Sequence, residues 1–300
     1  MHMTNRTISV VIACVNRLPS IHDCLTALEQ ERKGYQVEIL VLCCCQDGTA
    51  AHVAKHFPDV SLVHFSNRLG IPELRAIGMA RATGEIVTII EDHCIVQNGW
   101  FREILTAHDK GYQAVGGTVV NGSVERLTDW AVFLCEYSGV MPPIPDGEVS
   151  GITGNNVSYR KAILDRIDDW VKKECWEFFL HQELSKQGVT FLSAPSIIVS
   201  HKKEFGFWYF MAQRFYYSRS FAGMRRKRTS LPGRLLYCCA SPLLPGLMLW
   251  RMTRQVLNKQ QHVDKFVWSL PLQAAFMVSY AAGEFVGYFL GSGDSLLKVE

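Results

Sequence analysis

The chain reads as an α/β protein built on a mostly parallel sheet with helices on both faces, and two observations carry that reading. Short apolar, β-branched runs alternate with helix-patterned segments through the first 120 residues, an order that folds into parallel strands joined by crossover helices. The fourth run, Glu85-Ile86-Val87-Thr88-Ile89-Ile90, ends abruptly in Glu91-Asp92-His93. A continuous apolar run bounded by Gly84 and by charges is the pattern of a strand buried on both faces. Ligands in such sheets sit beyond the carboxyl ends of the strands. Three metal-capable side chains at that end mark where a divalent cation and a phosphate would be held, and a plain charged turn is the alternative.

The elements follow in order. A first strand is predicted over 8–13, closing at Asn16-Arg17, and the spacing of Ile21, Cys24, Leu25 and Leu28 predicts a helix over 21–30. A second strand over 37–43 leads into the turn Gln46-Asp47-Gly48, followed by a helix over 50–57 and a third strand over 61–65. The segment 70–82 reads as a helix with Pro72 in its first turn, where proline is tolerated. A fifth strand is predicted over 114–120. From about 127 to 206 the pattern is less regular, with Gly/Pro-rich loops near 141–147 and 151–154 and a helix over 172–187 that stops at Gly188.

Composition narrows the function. A formal net charge of +3 in 300 residues gives no global pull toward nucleic acid, although Arg225-Arg226-Lys227-Arg228 is a dense basic run. Of the ten cysteines, five fall in adjacent groups, Cys43-Cys44-Cys45 and Cys238-Cys239, and there is no CxxC pair. They read as reduced, small apolar core residues rather than a disulfide framework or a zinc site. The N-terminus shows no basic-then-apolar leader, so the catalytic part is expected in the cytoplasm.

After Arg228 the character changes. The segment 235–250 is apolar but short and contains Pro242 and Pro245, whereas 266–290 is long enough to cross a bilayer and carries Gln273 and Glu284. Arg251, Arg254, Lys259 and Lys265 form a basic connector between them, which opposes placing that connector outside the membrane. An in-plane or re-entrant hairpin fits as well as two crossings; two helices buried against the catalytic part are the alternative. The chain therefore divides into a catalytic domain, 1–228, and a membrane-associated or transmembrane helical hairpin, 229–300.

Several motifs now align in order. The stretch from Ile8 through Ala13 to Asn16-Arg17 resembles the opening strand of family 2 glycosyltransferases. Gly70-Ile71-Pro72-Glu73-Leu74-Arg75 through Ala80 and Gly84-Glu85 resembles that family's G-x-x-x-A-R-N-x-G-x-x-x-A-x-G-E segment, which precedes the strand ending in Asp-x-Asp. Glu91 and His93 fall on the first and third positions of that pattern with Asp92 between them. Gly154-Asn155-Asn156-Val157-Ser158-Tyr159-Arg160 is similar to the acceptor-side G-x-N-x-x-x-R, and His201 matches a V-x-H position. Glu177, eleven residues before Gly188, stands where the family has the Asp of its catalytic Glu-Asp pair. The resemblance covers roughly residues 7–220.

What the resemblance implies is specific. It implies the glycosyltransferase A fold, of the bacterial membrane-associated type. The reaction would be inverting transfer of a single sugar from a nucleotide diphosphate sugar to a lipid-linked or polysaccharide acceptor at the cytoplasmic membrane face. Glu177 would be the catalytic base, with Glu174 and Glu183 as alternatives if the helix phase differs. Apolar Trp176, Phe178 and Phe179 beside it are expected to bury it and raise its pKa. Ala13, Asn16, Arg17, Asp47, Arg75, Glu91, Asp92 and Arg214 would bind the donor, and Gly154, Asn155 and Asn156 the acceptor. Glu91, Asp92, His93 and His201 would hold Mg²⁺ or Mn²⁺, imidazole tilting the preference toward Mn²⁺. Anionic lipids would meet the 225–228 basic run.

Two departures qualify these expectations. Cys43-Cys44-Cys45 replaces the family's Asp-rich V-D-D-G-S turn, whose Asp pairs with uracil, and Asp47 is displaced from it. Tyr216 and Tyr217 stand where processive members have Arg and Trp in Q-x-x-R-W, which favours single-residue transfer. Competing readings are a nucleotidyltransferase, which lacks its Gly-rich phosphate loop here, and a catalytically degenerate member acting as a membrane-bound binding or scaffold subunit.

Overall fold

Ile8, Val10, Val11 and Ile12 are all but sealed from solvent, so β1 (Thr7–Cys14) is covered on both faces and lies inside the sheet. The computed structural model describes residues 6–15, 18–167, 169 and 175–300. Beside β1 run β2 (Gln36–Cys43) and, outward, β3 (Ser61–His64), both parallel. The chain then returns across β1 to place β4 (Ile86–Glu91) on its other side, again parallel. The strand order β3-β2-β1-β4 makes the β1–β4 boundary a topological switch point, where crossovers part to opposite faces and leave a crevice at the carboxyl ends. Ala13 and Glu91 are register partners there.

Helices α1 (Leu18–Glu31), α2 (Thr49–His56) and α3 (Ile71–Arg81) make the crossovers. Helix α1 buries Ile21, Cys24, Leu25 and Leu28, the predicted face. Helix α3 carries Pro72 in its first turn. Gly78 lets α3 lie close to the sheet, since a Cβ there would stand 2.8 Å from a Leu42 methyl.

The rest of the sheet is antiparallel or short. After β5 (Cys94–Val96) and α4 (Trp100–Asp109) comes β6 (Ala114–Asn121), followed later by α5 (Leu127–Tyr137), β7 (Gly147–Val149), β8 (Asn156–Arg160) and α6 (Lys161–Arg166). Strand β8 inserts antiparallel between β4 and β6. Helix α7 (Glu177–Lys186) begins at Glu177; positions 172–174 of the predicted helix lie outside the described residues. Strand β9 (Phe191–His201) pairs antiparallel with β5 and β7. The order β3-β2-β1-β4-β8-β6-β9-β5 gives the mixed α/β architecture with a mostly parallel central run that the sequence implies.

The last helices are α8 (Phe207–Arg226), α9 (Leu231–Ala240), α10 (Leu244–Lys259) and α11 (Val263–Leu290), with a 3₁₀ turn at Ser241–Leu243 joining α9 to α10. The chain forms two compact units, one reaching Val120 and resuming over Pro142–Lys202, the other comprising Asn121–Met141 and Lys203–Glu300. Helices α5 and α8 thus belong with the C-terminal helices, although both precede the sequence division at 228.

In the second unit α11 packs along α8, with Phe210 and Phe276 buried beside Ala131 and Val132 of α5. Gly287 permits the close approach: a Cβ there would lie 2.6 Å from the Arg219 carbonyl and 2.7 Å from Ala222 Cβ. The sequence reading singled out 266–290 as the segment able to cross a bilayer. In the structure Gln273, Phe276 and Glu284 of that helix are buried, whereas Trp268, Val278 and Phe289 are exposed, so only one face of it meets protein neighbours. Among the described residues, the helical stretch long and apolar enough to cross is instead Leu231–Lys259, and it is mostly exposed.

Candidate functional site

Strand β4 delivers Glu91 to the switch-point crevice, and the turn after it delivers Asp92 and His93. Strand β5 starts at the next residue, and its first member, Cys94, is the register partner of His201 at the end of β9. That antiparallel pairing brings together side chains separated by 108 positions: His93 Nε2 and His201 Nε2 are 2.8 Å apart. Glu91 Oε2 lies 3.3 Å from His93 Nε2 and 3.9 Å from His201 Nε2.

Asp92 stands behind this cluster. It is 1% exposed, its Oδ1 is 2.8 Å from His93 Nδ1, and its Oδ2 accepts the Val15 backbone N–H at 3.3 Å. A carboxylate on Nδ1 holds a proton there, so it is the Nε2 proton that is given up when a cation takes the lone pair facing Glu91 and His201. For Glu91, burial opposes ionisation, but the hydrogen bond from His93 and the charges of His93, Arg75 and His201 outweigh it and hold the carboxyl below the usual range.

One carboxylate oxygen and two imidazole nitrogens, all within 4.8 Å of one another, form a donor set of the right size for one cation. Ligand atoms about 2.1 Å from a shared ion stand about 3 Å apart. Nitrogen donors suit Mn²⁺ or another transition ion better than Mg²⁺. The fit therefore rests on Glu91, His93 and His201, with Asp92 orienting His93.

Arg75 ties this cluster to Glu177. It is 4% exposed; Nη2 donates to Glu91 Oε1 at 3.2 Å, and Nη1 donates to Glu177 Oε1. Trp176 and Phe179 are buried as expected, but Phe178 is 45% exposed. Glu177 thus sits not in an apolar pocket but in an ion pair. Gly154 lies directly against it, for a Cβ at Gly154 would be 2.7 Å from the Glu177 carboxyl carbon.

The remaining predicted residues divide clearly. Asn155 is buried; its Oδ1 accepts from Thr153 Oγ1 at 2.9 Å, and among the described residues its Nδ2 has no hydrogen-bond partner. Asn156 is spent on the fold, donating to the carbonyls of Thr118 and Ile197 and accepting from Trp100 Nε1. Ala13 ends β1 beside Glu91. Asp47 is exposed and its Oδ1 accepts from the Thr49 backbone and hydroxyl, so it caps the start of α2 locally. Arg214 belongs to the second unit, where it pairs with Glu136 at 3.3 Å and stacks on the Tyr280 ring. Asn16, Arg17 and Glu174 lie outside the described residues. Sequence reasoning passed over Arg68, whose Nη1 donates to the Val15 carbonyl at 3.0 Å; only its place two residues before Gly70 marked it.

Comparison with known proteins agrees with this architecture. The family model described as "Glycosyl transferase family 2" matches residues 9–168. Polypeptide N-acetylgalactosaminyltransferase 12 of Mus musculus is 30% identical over 89 residues, which cover 30% of this chain and 14% of that relative's length. Among solved structures, the mannosyltransferase PcManGT from Pyrobaculum calidifontis, in complex with GDP-Man and Mn²⁺, aligns with a TM-score of 0.57 at 16% identity, covering 92% of this chain and 86% of that one. S. aureus TarS aligns at 0.50 and 14% identity over 93% of this chain and 55% of that one. These structural likenesses show the fold, and the family model spans more than half of the chain. The chain belongs to glycosyl transferase family 2.

Proposed function

We propose that the chain is an inverting, cation-dependent glycosyltransferase that moves one sugar from a nucleotide diphosphate sugar to a lipid-linked or polysaccharide acceptor at the cytoplasmic face of the membrane. The observation that carries the reading is the guanidinium of Arg75, bonded on one side to Glu91 and on the other to Glu177. It sets a candidate base one residue away from a candidate cation site.

In this reading Glu91, His93 and His201 hold the cation, and Asp92 keeps His93 in the metal-binding tautomer. A divalent cation, when bound, supplies neutralisation of the charge developing on the departing diphosphate. Glu177 takes the proton from the acceptor hydroxyl as that oxygen bonds to the anomeric carbon and the bond from that carbon to the diphosphate oxygen breaks. The acceptor oxygen enters opposite the leaving group, which inverts the centre. Arg75 holds the Glu177 carboxylate in place, and a donor diphosphate is a second anion for the same guanidinium. The unsatisfied Asn155 amide, next to Gly154, is suited to a substrate hydroxyl.

The donor base is open to choice. Cys43 ends β2, Cys44 and Cys45 follow it, and Asp47 is committed to α2, so a uracil-pairing carboxylate is missing from its family position. The mannosyltransferase bound to GDP-Man makes a guanosine donor the first to try beside uridine donors. Membrane attachment is supported by Leu231, Leu235, Leu236, Leu243 and Trp250, all exposed, and by the 225–228 basic run, at about 1 kcal/mol per basic residue near an anionic surface. An in-plane helix over 231–259 fits this exposure. A catalytic part over 1–228 and a membrane part over 229–300 remain the functional division we propose.

The test is Glu177→Gln. Donor binding should stay within a few-fold while transfer falls by about 10²–10⁴-fold, the usual contribution of a positioned base. Transfer at the unmodified rate would refute the assignment, and donor binding without any transfer by the unmodified protein would favour the degenerate-subunit reading.

A further inference from the structure

A second convergence of ligand atoms lies at the ends of β1 and β2. Cys14 and Cys43 are the last residues of those strands and are register partners, so their side chains leave the sheet on the same side. Cys45 follows Cys43 by two positions and returns to that side, while the Cys44 sulphur goes elsewhere, to the Leu69 carbonyl at 3.8 Å. Cys14 Sγ and Cys45 Sγ are 3.7 Å apart, and the three sulphurs all lie within 4.8 Å of one another. Cys14 and Cys43 are fully buried and Cys45 is 7% exposed, and none of the three is in a disulfide. Beside them His64, the register partner of Cys43 on β3, brings its Nε2 to 3.2 Å from the Cys45 carbonyl.

Those dimensions match a thiolate coordination sphere. Metal–sulphur bonds of about 2.3 Å at a tetrahedral ion place sulphurs about 3.8 Å apart. Sulphur selects soft or borderline ions over Mg²⁺ or Ca²⁺, so this set and the Glu91–His93–His201 set would take different cations. We propose that Cys14, Cys43 and Cys45 form a three-thiolate site for a soft or borderline d¹⁰ cation of the Zn²⁺, Cd²⁺ or Cu⁺ type. Binding releases the thiol protons to solvent as the three metal–sulphur bonds form. The ion ties the end of β1 to the loop after β2 and stabilises the folded chain by mass action. The site stands on the three sulphurs alone and does not depend on the transferase reading.

The experiment is a titration of the reduced, metal-stripped full-length chain with Cd²⁺, following the ultraviolet thiolate-to-metal charge-transfer band. The band should saturate at one equivalent. It should persist in Cys238→Ala/Cys239→Ala and in His93→Ala/His201→Ala, and vanish in Cys14→Ala/Cys45→Ala. Because Cys14 is a core residue, X-ray absorption at the cadmium edge on the unmodified protein provides the second arm: three sulphur neighbours are expected. No band at one equivalent, a band indifferent to loss of Cys14 and Cys45, or a shell of nitrogen and oxygen alone would overturn the proposal.

Discussion

Two clusters of ligand-capable side chains stand at strand ends of one sheet, and they were assembled by different means. Glu91, His93 and His201 meet because β5 pairs antiparallel with β9; Cys14, Cys43 and Cys45 meet because β1 and β2 run parallel in register. The first set carries its own support, with Asp92 behind His93 and Arg75 bonded to Glu91. The second has sulphur and a neighbouring carbonyl, Cys45 Sγ lying 3.5 Å from Cys14 O. The scaffold decides where side chains converge, and residue chemistry decides what they can hold. Function is therefore argued from each set of donors rather than from the fold.

The largest effect should come from breaking the first cluster while sparing the second. His93→Ala/His201→Ala removes both nitrogen donors, and transfer should fall on the order of 10³-fold, the worth of several kcal/mol of charge stabilisation. A cation titration of the rate checks it, and unchanged cation dependence would separate the cluster from catalysis. Next comes Gly154→Ala. The new Cβ displaces the flexible end of Glu177 rather than backbone, so the melting temperature should hardly move while kcat drops by about 10²-fold, the cost of an ångström of misplacement. Asp92→Asn sharpens the contrast between donor and support: cation affinity should weaken by about 10–100-fold, measured by calorimetry, with Cd²⁺ binding at the thiols untouched.

The smallest predicted effect concerns two buried imidazoles hydrogen-bonded to neutral groups. Burial pushes His108 and His181 down to about 4, although Tyr112 O and Ser158 Oγ bond the former and Tyr159 Oη the latter. Between the ordinary histidine value of 6.5 and about 4, the unfolded chain binds protons that the folded chain refuses. Stability should thus fall as pH drops through that window, by up to about 1.4 kcal/mol per pH unit for each group, and level off below it. Urea unfolding at a series of pH values checks the slope, and His108→Gln should flatten it.

What could be read from the sequence was what is local. The apolar run into Glu91 gave β4 and its end, the spacing of Ile21, Cys24, Leu25 and Leu28 gave α1, and Arg75 and Glu177 stood at family spacing. What could not be read depends on partners distant in the chain. The meeting of His93 with His201 requires a three-residue strand, β5, too short for a periodic signal. Asn156 looked like a substrate contact, yet its amide is consumed by Thr118, Ile197 and Trp100, which no pattern in 154–160 reveals. The segment 266–290 reads as long enough to cross a bilayer because composition shows apolar content but not which face meets α8. Cys14 looks like one core residue among many until strand register puts it beside Cys43.

The most direct test of the central claim, that Glu91, His93 and His201 hold the cation required by the donor, is thermal stabilisation by a panel of nucleotide diphosphate sugars with and without Mn²⁺. A ligand that binds only the folded state raises the melting temperature by mass action. A shift by one donor that requires Mn²⁺ and disappears in His93→Ala/His201→Ala is expected. A shift of the same size without cation, or in that variant, would contradict it.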